Sequence, residues 1–334
     1  MTPALSRRRF IGISAAAAGM SLLPLAAPRA ATADANTHVW RGFALGAPAM
    51  IILHHEDRAK AERLFGQIAA EARRLEAIFS LFQPESELSA LNRAGALANP
   101  SSEMLDLLTR AGDIWTASGG LFDPSVQPLW MCLARHFSVE NADPAGPDAA
   151  QMRAALDLTG FGALRFNADR IAFTKRGMGL TLNGIAQGYV TDRIAALLAE
   201  NGLTQSLVNM GEYRALGVRP DGAPWKIGLA ALESDTAPDR SIDLSGRALA
   251  TSSADGFGFD DSGRFNHLLN PKTGLSASLY RWLSVVAPDA TAADAWATAF
   301  SLMTPQEISA ALSRQTEITV YLRQRTGESL RLGA

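Results

Sequence analysis

Asp294 and Thr298 stand four residues apart in TAADAWATAF, Thr291 to Phe300. On a helix their oxygens share one face and could take one hard cation such as Mg²⁺. Both donors are oxygens, which argues against zinc. A second reading keeps Asp294 as a support of the helix N-terminus through its dipole, with Thr298 packed. LTLNGIAQGYVTDR, Leu180 to Arg193, runs a strand into a helix through Asn183-Gly184. Peptide N–H groups at that helix start could face a phosphate, and Gly184 could offer its carbonyl to a metal. Asn183 could equally cap the helix and do nothing more. In GGLFDPSVQPL, Gly119 to Leu129, two glycines allow a ligand close to the backbone and Asp123-Pro124 fixes a turn with one carboxylate. The same pattern serves ordinary helix stops. His267 lies in RFNHLLNPKTG, Arg264 to Gly274, in an apolar run closed by a turn that continues neither strand nor helix. Its titration near neutrality makes it a candidate base, although a lone histidine is more often structural.

The elements that must position these residues read as α+β. HVWRGFALGAPAMIILHHED, from His38, is a strand, a glycine-containing turn and a second strand. Arg58 to Phe79 carries apolar residues at helical spacing, and Ser101 to Ser118 is a second amphipathic helix stopped by Gly119-Gly120. Ser80 to Asn99 reads as loop, and the pattern weakens from Pro128 to Pro147. Gly162 to Leu182 alternates as a hairpin, and Ile185 to Glu200 is a helix closed by Asn201-Gly202. The strands SLVNMG, RALGVR, WKIGLA, RALATSS, FNHLLN and WLSVVA follow, then a helix from Ala292 to Met303, a short one from Pro305, and a last strand around ITVYLR. Strands gathered in the second half, with helices before and between them, predict α+β and not a doubly wound sheet.

GxGxxG at a strand-to-helix turn, GxxxxGK(S/T), HExxH, CxxC and GxSxG are absent from the sequence, which removes the common nucleotide, zinc and serine-hydrolase signatures. The start, MTPALSRRRFIGISAAAAGMSLLPLAAPRAATADANT, pairs Arg7 and Arg8 with an uncharged small-residue stretch and Ala31-Thr32-Ala33. That layout predicts a twin-arginine export signal over residues 1–33, removed to leave a periplasmic domain over 34–334. Loss of its four arginines would take the formal charge from −2 to about −6, which disfavours nucleic acid as partner. The apolar stretch is too short for stable membrane insertion. The single cysteine, Cys132, excludes an internal disulfide.

Taken in order, the stretches resemble the ApbE family of FAD:protein FMN transferases. SLFQPESELSALN (Ser80 to Asn92) is similar to the family's S-x-F-x-P-x-S-E-(I/L)-S-x-L-N, and GGLFDPSVQPL to G-G-x-F-D-P-(S/T)-V-x-P-L. TLNGIAQGYVTD, VNMGE (Val208 to Glu212), HLLNPKTG (His267 to Gly274) and ADAWATA (Ala293 to Ala299) resemble four further family blocks. The resemblance implies an ApbE-like fold with mixed or antiparallel sheets flanked by helices and an FAD site in a cleft between two lobes. It implies a Mg²⁺-dependent enzyme that moves FMN from FAD to a Ser or Thr of a target protein and releases AMP. The target implied is a membrane-anchored electron-transfer subunit. By position it places Mg²⁺ on Gly184, Asp294 and Thr298, the base at His267, and FAD contacts at Leu45, Gly46, Ala47, Phe82, Leu121, Phe122, Asp123, Thr181, Gln187 and Leu268, the last through its backbone. The family's usual lysine is Gln187 here, its acid at the head of the third block is Thr181, and the second glycine of V-N-x-G-G is Glu212. Two other activities stay open: FAD pyrophosphatase, in which the same site uses water in place of the protein hydroxyl, and a non-catalytic FAD carrier, which Gln187 and Thr181 keep open.

Overall fold

The computed structural model describes residues 36–229 and 240–333. The leader expected over residues 1–33 lies outside them. β1 (Thr37–Ala44) and β2 (Ala47–His54) form the expected hairpin, in register from Thr37 opposite His54 to Ala44 opposite Ala47. Its turn residues Leu45 and Gly46 have φ of 49° and 78°, the left-handed backbone that a two-residue turn needs to match the strand twist. α1 (Arg58–Phe79) has the expected bounds. Ala61, Leu64, Ile68, Ala72 and Leu75 bury one face, and Asp57 caps the start by accepting from Lys60 N.

Ser80 to Asn99 is not a loop throughout. It holds α2 (Glu87–Ala94), capped by Ser86 and ended by Gly95 at φ 77°, and β3 (Ala96–Ala98). α3 (Ser102–Ala117) ends as expected before Gly119-Gly120. α4 (Gln127–Phe137) occupies the stretch where the pattern weakens; Pro128 stands in its first turn, where a missing N–H costs no helical bond. Then come α5 (Ala149–Asp157), the short hairpin β4 (Leu164–Phe166) and β5 (Arg170–Phe173), and α6 (Ala186–Glu200). β6 (Ser206–Asn209), β7 (Tyr213–Leu216), β8 (Trp225–Leu229), β9 (Arg240–Leu244), β10 (Ala248–Ser253) and β11 (Tyr280–Ala287) follow, then α7 (Ala290–Phe300), α8 (Pro305–Leu312), β12 (Thr319–Gln324) and β13 (Ser329–Gly333).

Eight strands form one sheet in the order β1-β2-β6-β7-β10-β11-β12-β13, and each neighbouring pair is antiparallel. The fold is therefore α+β, as expected, with antiparallel sheets. α1, α6 and α7 cover one face, where Leu64, Ile68, Val190, Ile194 and Trp296 meet Ile51, Val208 and Val285 in the main core. The β8–β9 hairpin covers the other face with Trp225, Ile227 and Leu244 over Leu207, Leu249 and Trp282. A third cluster joins Leu129 and Leu133 of α4 to Phe257, Phe259 and Leu269. No helix among the described residues is long and apolar enough to cross a membrane.

FNHLLN is not a strand. Two isolated bridges, Gly258 with Asn266 and Leu269 with Ser276, hold it as an irregular hairpin over the third cluster. The cause is Asn266, 1% exposed, whose side chain replaces ladder bonds: Nδ2 donates to Ala277 O and Oδ1 accepts from Leu268 N. The Asn270 side chain closes the tip by accepting from Lys272 N and Thr273 N, with Gly274 at φ 73°.

Candidate active site

The first turn of α6 abuts the N-terminal half of α7, and their approach is set by a glycine. A Cβ added at Gly188 would lie 2.2 Å from Ala290 O and 2.9 Å from Asp294 Cβ. Gly188→Ala, a change that raises the stability of an ordinary helix by about 1 kcal/mol, should here lower it by at least about 2 kcal/mol through backbone collision. Urea denaturation checks this, and an unchanged midpoint would contradict the close crossing.

At this crossing opens a cavity of about 950 Å³, mouth included. One wall is Leu121 to Asp123, a second is Thr181, Asn183, Gly184 and Gln187, a third is Asp294 and Thr298, and a fourth is His267 to Leu269. Four stretches far apart in sequence thus meet in one space. A smaller cavity is lined by Leu45 and Phe82 and shares Asn183 and Gln187 with the first. Gly46 and Ala47 line neither; Ala47, the first residue of β2, is buried at 0% exposure.

Asp294 Oδ2 accepts from Gly188 N at 3.0 Å. The carboxylate therefore supports a helix N-terminus, but that of α6, not that of its own helix, which Asp289 caps through Ala292 N. Asn183 does not cap α6 either: Ile185 holds the cap position with no side-chain bond, and Asn183 N donates to Thr181 Oγ1. A Cβ at Gly184 would stand 2.8 Å from Thr298 Oγ1, so the missing side chain leaves open the space between the two helices. Carboxylate, hydroxyl and peptide carbonyl are the donors that Mg²⁺ accepts, and the site fits that ion. No group of three or more His, Cys, Asp or Glu side chains suited to a metal occurs among the described residues; this set has one carboxylate and two neutral oxygens.

Burial, with the nearby Asp192 carboxylate adding to it, pushes the Asp294 carboxyl well above the ordinary carboxylate range. Without a cation the folded chain then holds that proton where the unfolded chain has lost it. The sign follows: the stability contributed by the protonated form is complete below about pH 3.8 and is lost as pH rises through the raised folded value. In EDTA, wild type should lose melting temperature relative to Asp294→Asn between pH 5 and pH 8, and Mg²⁺ should remove that loss. A wild type that gains on the variant as pH rises would refute this.

His267 Nδ1 lies 3.3 Å from Phe257 O, and its peptide N–H donates to the same carbonyl at 3.2 Å. With Nδ1 as the donor, Nε2 is the nitrogen left with a lone pair. Burial lowers the imidazole pKa to about 4, against a small opposing effect from Phe257, so the ring is neutral at physiological pH.

Asp123 reaches the cavity wall, but its carboxylate is spent inside the fold. Oδ1 accepts from Ser125 N (2.8 Å) and Ser125 Oγ (2.6 Å), and Oδ2 from Phe161 N (2.9 Å) and Trp115 Nε1 (3.2 Å). Burial nonetheless raises its pKa. Its side chain shapes the 121–126 turn. The Leu268 N–H and carbonyl are likewise taken, by Asn266 Oδ1 and by Ala277 N. Leu268 itself lines the cavity beside His267. The Gln187 amide leans on Gly211, where a Cβ would come within 2.7 Å of it. Two features were not singled out from sequence. Glu212, 4% exposed, enters the cavity wall and accepts from Thr251 N, and Asp192 binds the start of α7. The end of the block TLNGIAQGYVTD marked Asp192 by position; Glu212 was visible only as a departure.

The crevice thus brings a buried carboxylate, a hydroxyl, a glycine-made gap and a histidine together against an antiparallel sheet. A family model described as the ApbE family matches residues 45–322, and the chain belongs to that family. Among curated proteins it is similar to the FAD:protein FMN transferase of Klebsiella pneumoniae, 26% identical over 286 residues that cover 82% of this chain and 81% of that protein. The FAD:protein FMN transferase of Salmonella typhimurium is 26% identical over 317 residues, covering 91% and 89%. Among solved structures, the ApbE protein of Thermotoga maritima superposes with a TM-score of 0.78 at 24% identity, covering 89% of this chain and 97% of that one. The apo form of the Pseudomonas stutzeri flavinyl transferase ApbE gives 0.74 at 22%, covering 89% and 95%. Both share the fold.

Proposed function

We propose that this chain is a transferase that moves FMN from FAD, through a phosphoester bond, to a Ser or Thr hydroxyl of a target protein and releases AMP. The observation that carries the reading is the convergence of Gly184, Asp294 and Thr298 with His267 on one cavity, in a member of the ApbE family whose similar proteins bear that activity's name. Leu121 and Phe122 would bind the ligand's apolar parts, and Leu45 and Phe82 would take a ring in the adjoining cavity. Gly184 O, Asp294 and Thr298 Oγ1 would hold Mg²⁺. Bound there, the ion would supply charge neutralisation at the diphosphate. His267, its Nδ1 engaged by Phe257 O, would accept at Nε2 the proton of the attacking hydroxyl. The bond formed joins that oxygen to the FMN phosphorus, and the bond broken is the one to the AMP oxygen.

The twin-arginine layout of residues 1–33 supports export to the periplasm, and an acceptor on a membrane electron-transfer subunit suits that location. The pyrophosphatase reading uses the same groups with water as acceptor, and the carrier reading rests on Gln187 and Thr181. Supplying FAD, Mg²⁺ and a candidate acceptor separates the three. A fluorescent covalent band on the acceptor supports transfer, AMP with free FMN and no band supports hydrolysis, and unconsumed FAD supports a carrier.

A further inference from the structure

Two carboxylates stand where α6 and α7 meet, each on one helix and serving the other. Asp294 of α7 accepts from Gly188 N in the first turn of α6. Asp192 of α6 reaches the opposite way: Oδ1 accepts from Ala290 N at 2.9 Å, and Oδ2 from Thr291 N at 2.8 Å and Thr291 Oγ1 at 2.6 Å. A helix leaves its first four N–H groups without an internal partner. In α7, Ala293 N is the first with an internal partner, the Asp289 carbonyl, and the Asp289 side chain takes Ala292 N. Asp192 takes the two between, Ala290 N and Thr291 N, and with them the helix start is tied to α6.

The tie bears on the oxygen set. Gly184 precedes α6, whereas Asp294 and Thr298 ride on α7, so the spacing of the three oxygens depends on the register of the two helices. α7 is built largely of buried alanines, Ala290, Ala293, Ala295, Ala297 and Ala299, whose small side chains make shallow ridges and resist sliding weakly. Charge-assisted hydrogen bonds with three donors resist it strongly. We infer that Asp192 is a positioning residue for the cation site: it locks α7 against α6 at the register where Gly184, Asp294 and Thr298 converge. Asp192 lines neither cavity, so it acts through the helix and not on the ligand. The inference rests on the proposed Mg²⁺ site.

Asp289 is the control, because it caps the same helix through hydrogen bonds to α7 alone. In Asp192→Asn the amide must set a donor against a donor, so at least one bond is lost. The test is calorimetric titration of the full chain with Mg²⁺ alone, beside melting temperature and the Mg²⁺ dependence of turnover. Asp192→Asn should raise the Mg²⁺ dissociation constant by ~tenfold, with kcat recovered at saturating Mg²⁺. Thr291→Val, which removes the hydroxyl bond alone, should raise it about two- to threefold and keeps the test alive if Asp192→Asn fails to fold. Asp289→Asn should lower the melting temperature and leave Mg²⁺ affinity within about twofold. Mg²⁺ affinity unchanged in Asp192→Asn, or shifted equally by Asp289→Asn, would overturn the positioning role while leaving the metal site standing. Wild type that takes up no Mg²⁺ would overturn the metal reading and this inference together.

Discussion

Asp294→Asn is expected to lower FMN transfer by on the order of 10³-fold while the chain keeps its fold and its FAD affinity. Asp294 is the one carboxylate of the proposed oxygen set; Gly184 O and Thr298 Oγ1 are neutral. A cation across the diphosphate contributes several kcal/mol to the transition state, and each 1.36 kcal/mol is tenfold in rate. Asparagine is chosen because its Oδ1 can still accept from Gly188 N, the bond that Asp294 Oδ2 makes at 3.0 Å. It removes a carboxyl whose ionised form burial disfavours, so metal-free stability should hold or rise. Transfer within tenfold of wild type at saturating Mg²⁺ would remove Asp294 from the site. FAD binding, followed by flavin fluorescence, separates lost chemistry from lost substrate.

His267→Ala should slow transfer by roughly 10²- to 10⁴-fold, the usual contribution of a positioned base, with FAD affinity near wild type. The imidazole, lowered to about 4 by burial, is in its basic form throughout the neutral range. The sign is therefore definite: no loss of activity traceable to His267 should appear between pH 8 and pH 6, and its limb should appear only in acid. An anionic diphosphate beside the ring favours the imidazolium, so the limb should lie higher with FAD bound than in the free chain. Unchanged transfer in His267→Ala would return the histidine to a structural role on the Phe257 carbonyl.

Both residues were visible in the sequence, for different reasons. Asp294 and Thr298 share a helical face by spacing alone, and the helix is there. His267 was placed on a strand, and the strand is absent, because Asn266 and Asn270 satisfy the backbone with side-chain amides that no periodicity reveals. α1 was legible to the residue since its apolar face repeats over 22 residues. α2, with Leu88 and Leu91 alone buried, is too short to show a period, and α5 buries only Ala155. Asp192 was illegible as a partner of α7 because the groups it binds lie 98 and 99 positions further on. The same distance hides Gly188, whose need for a missing side chain exists only once the helices cross. Asp123 lines the cavity, but the four internal donors on its carboxylate, Phe161 N among them 38 positions further on, were not legible from its glycine-rich stretch.

The most direct test of the account is a single incubation of the purified chain with FAD, Mg²⁺ and a periplasmic flavoprotein acceptor, read by intact mass of the acceptor and by released AMP. The account predicts an acceptor heavier by one FMN phosphoester, with AMP formed in equal amount and both lost in EDTA. AMP and free FMN with an acceptor of unchanged mass, or FAD left intact, would contradict it.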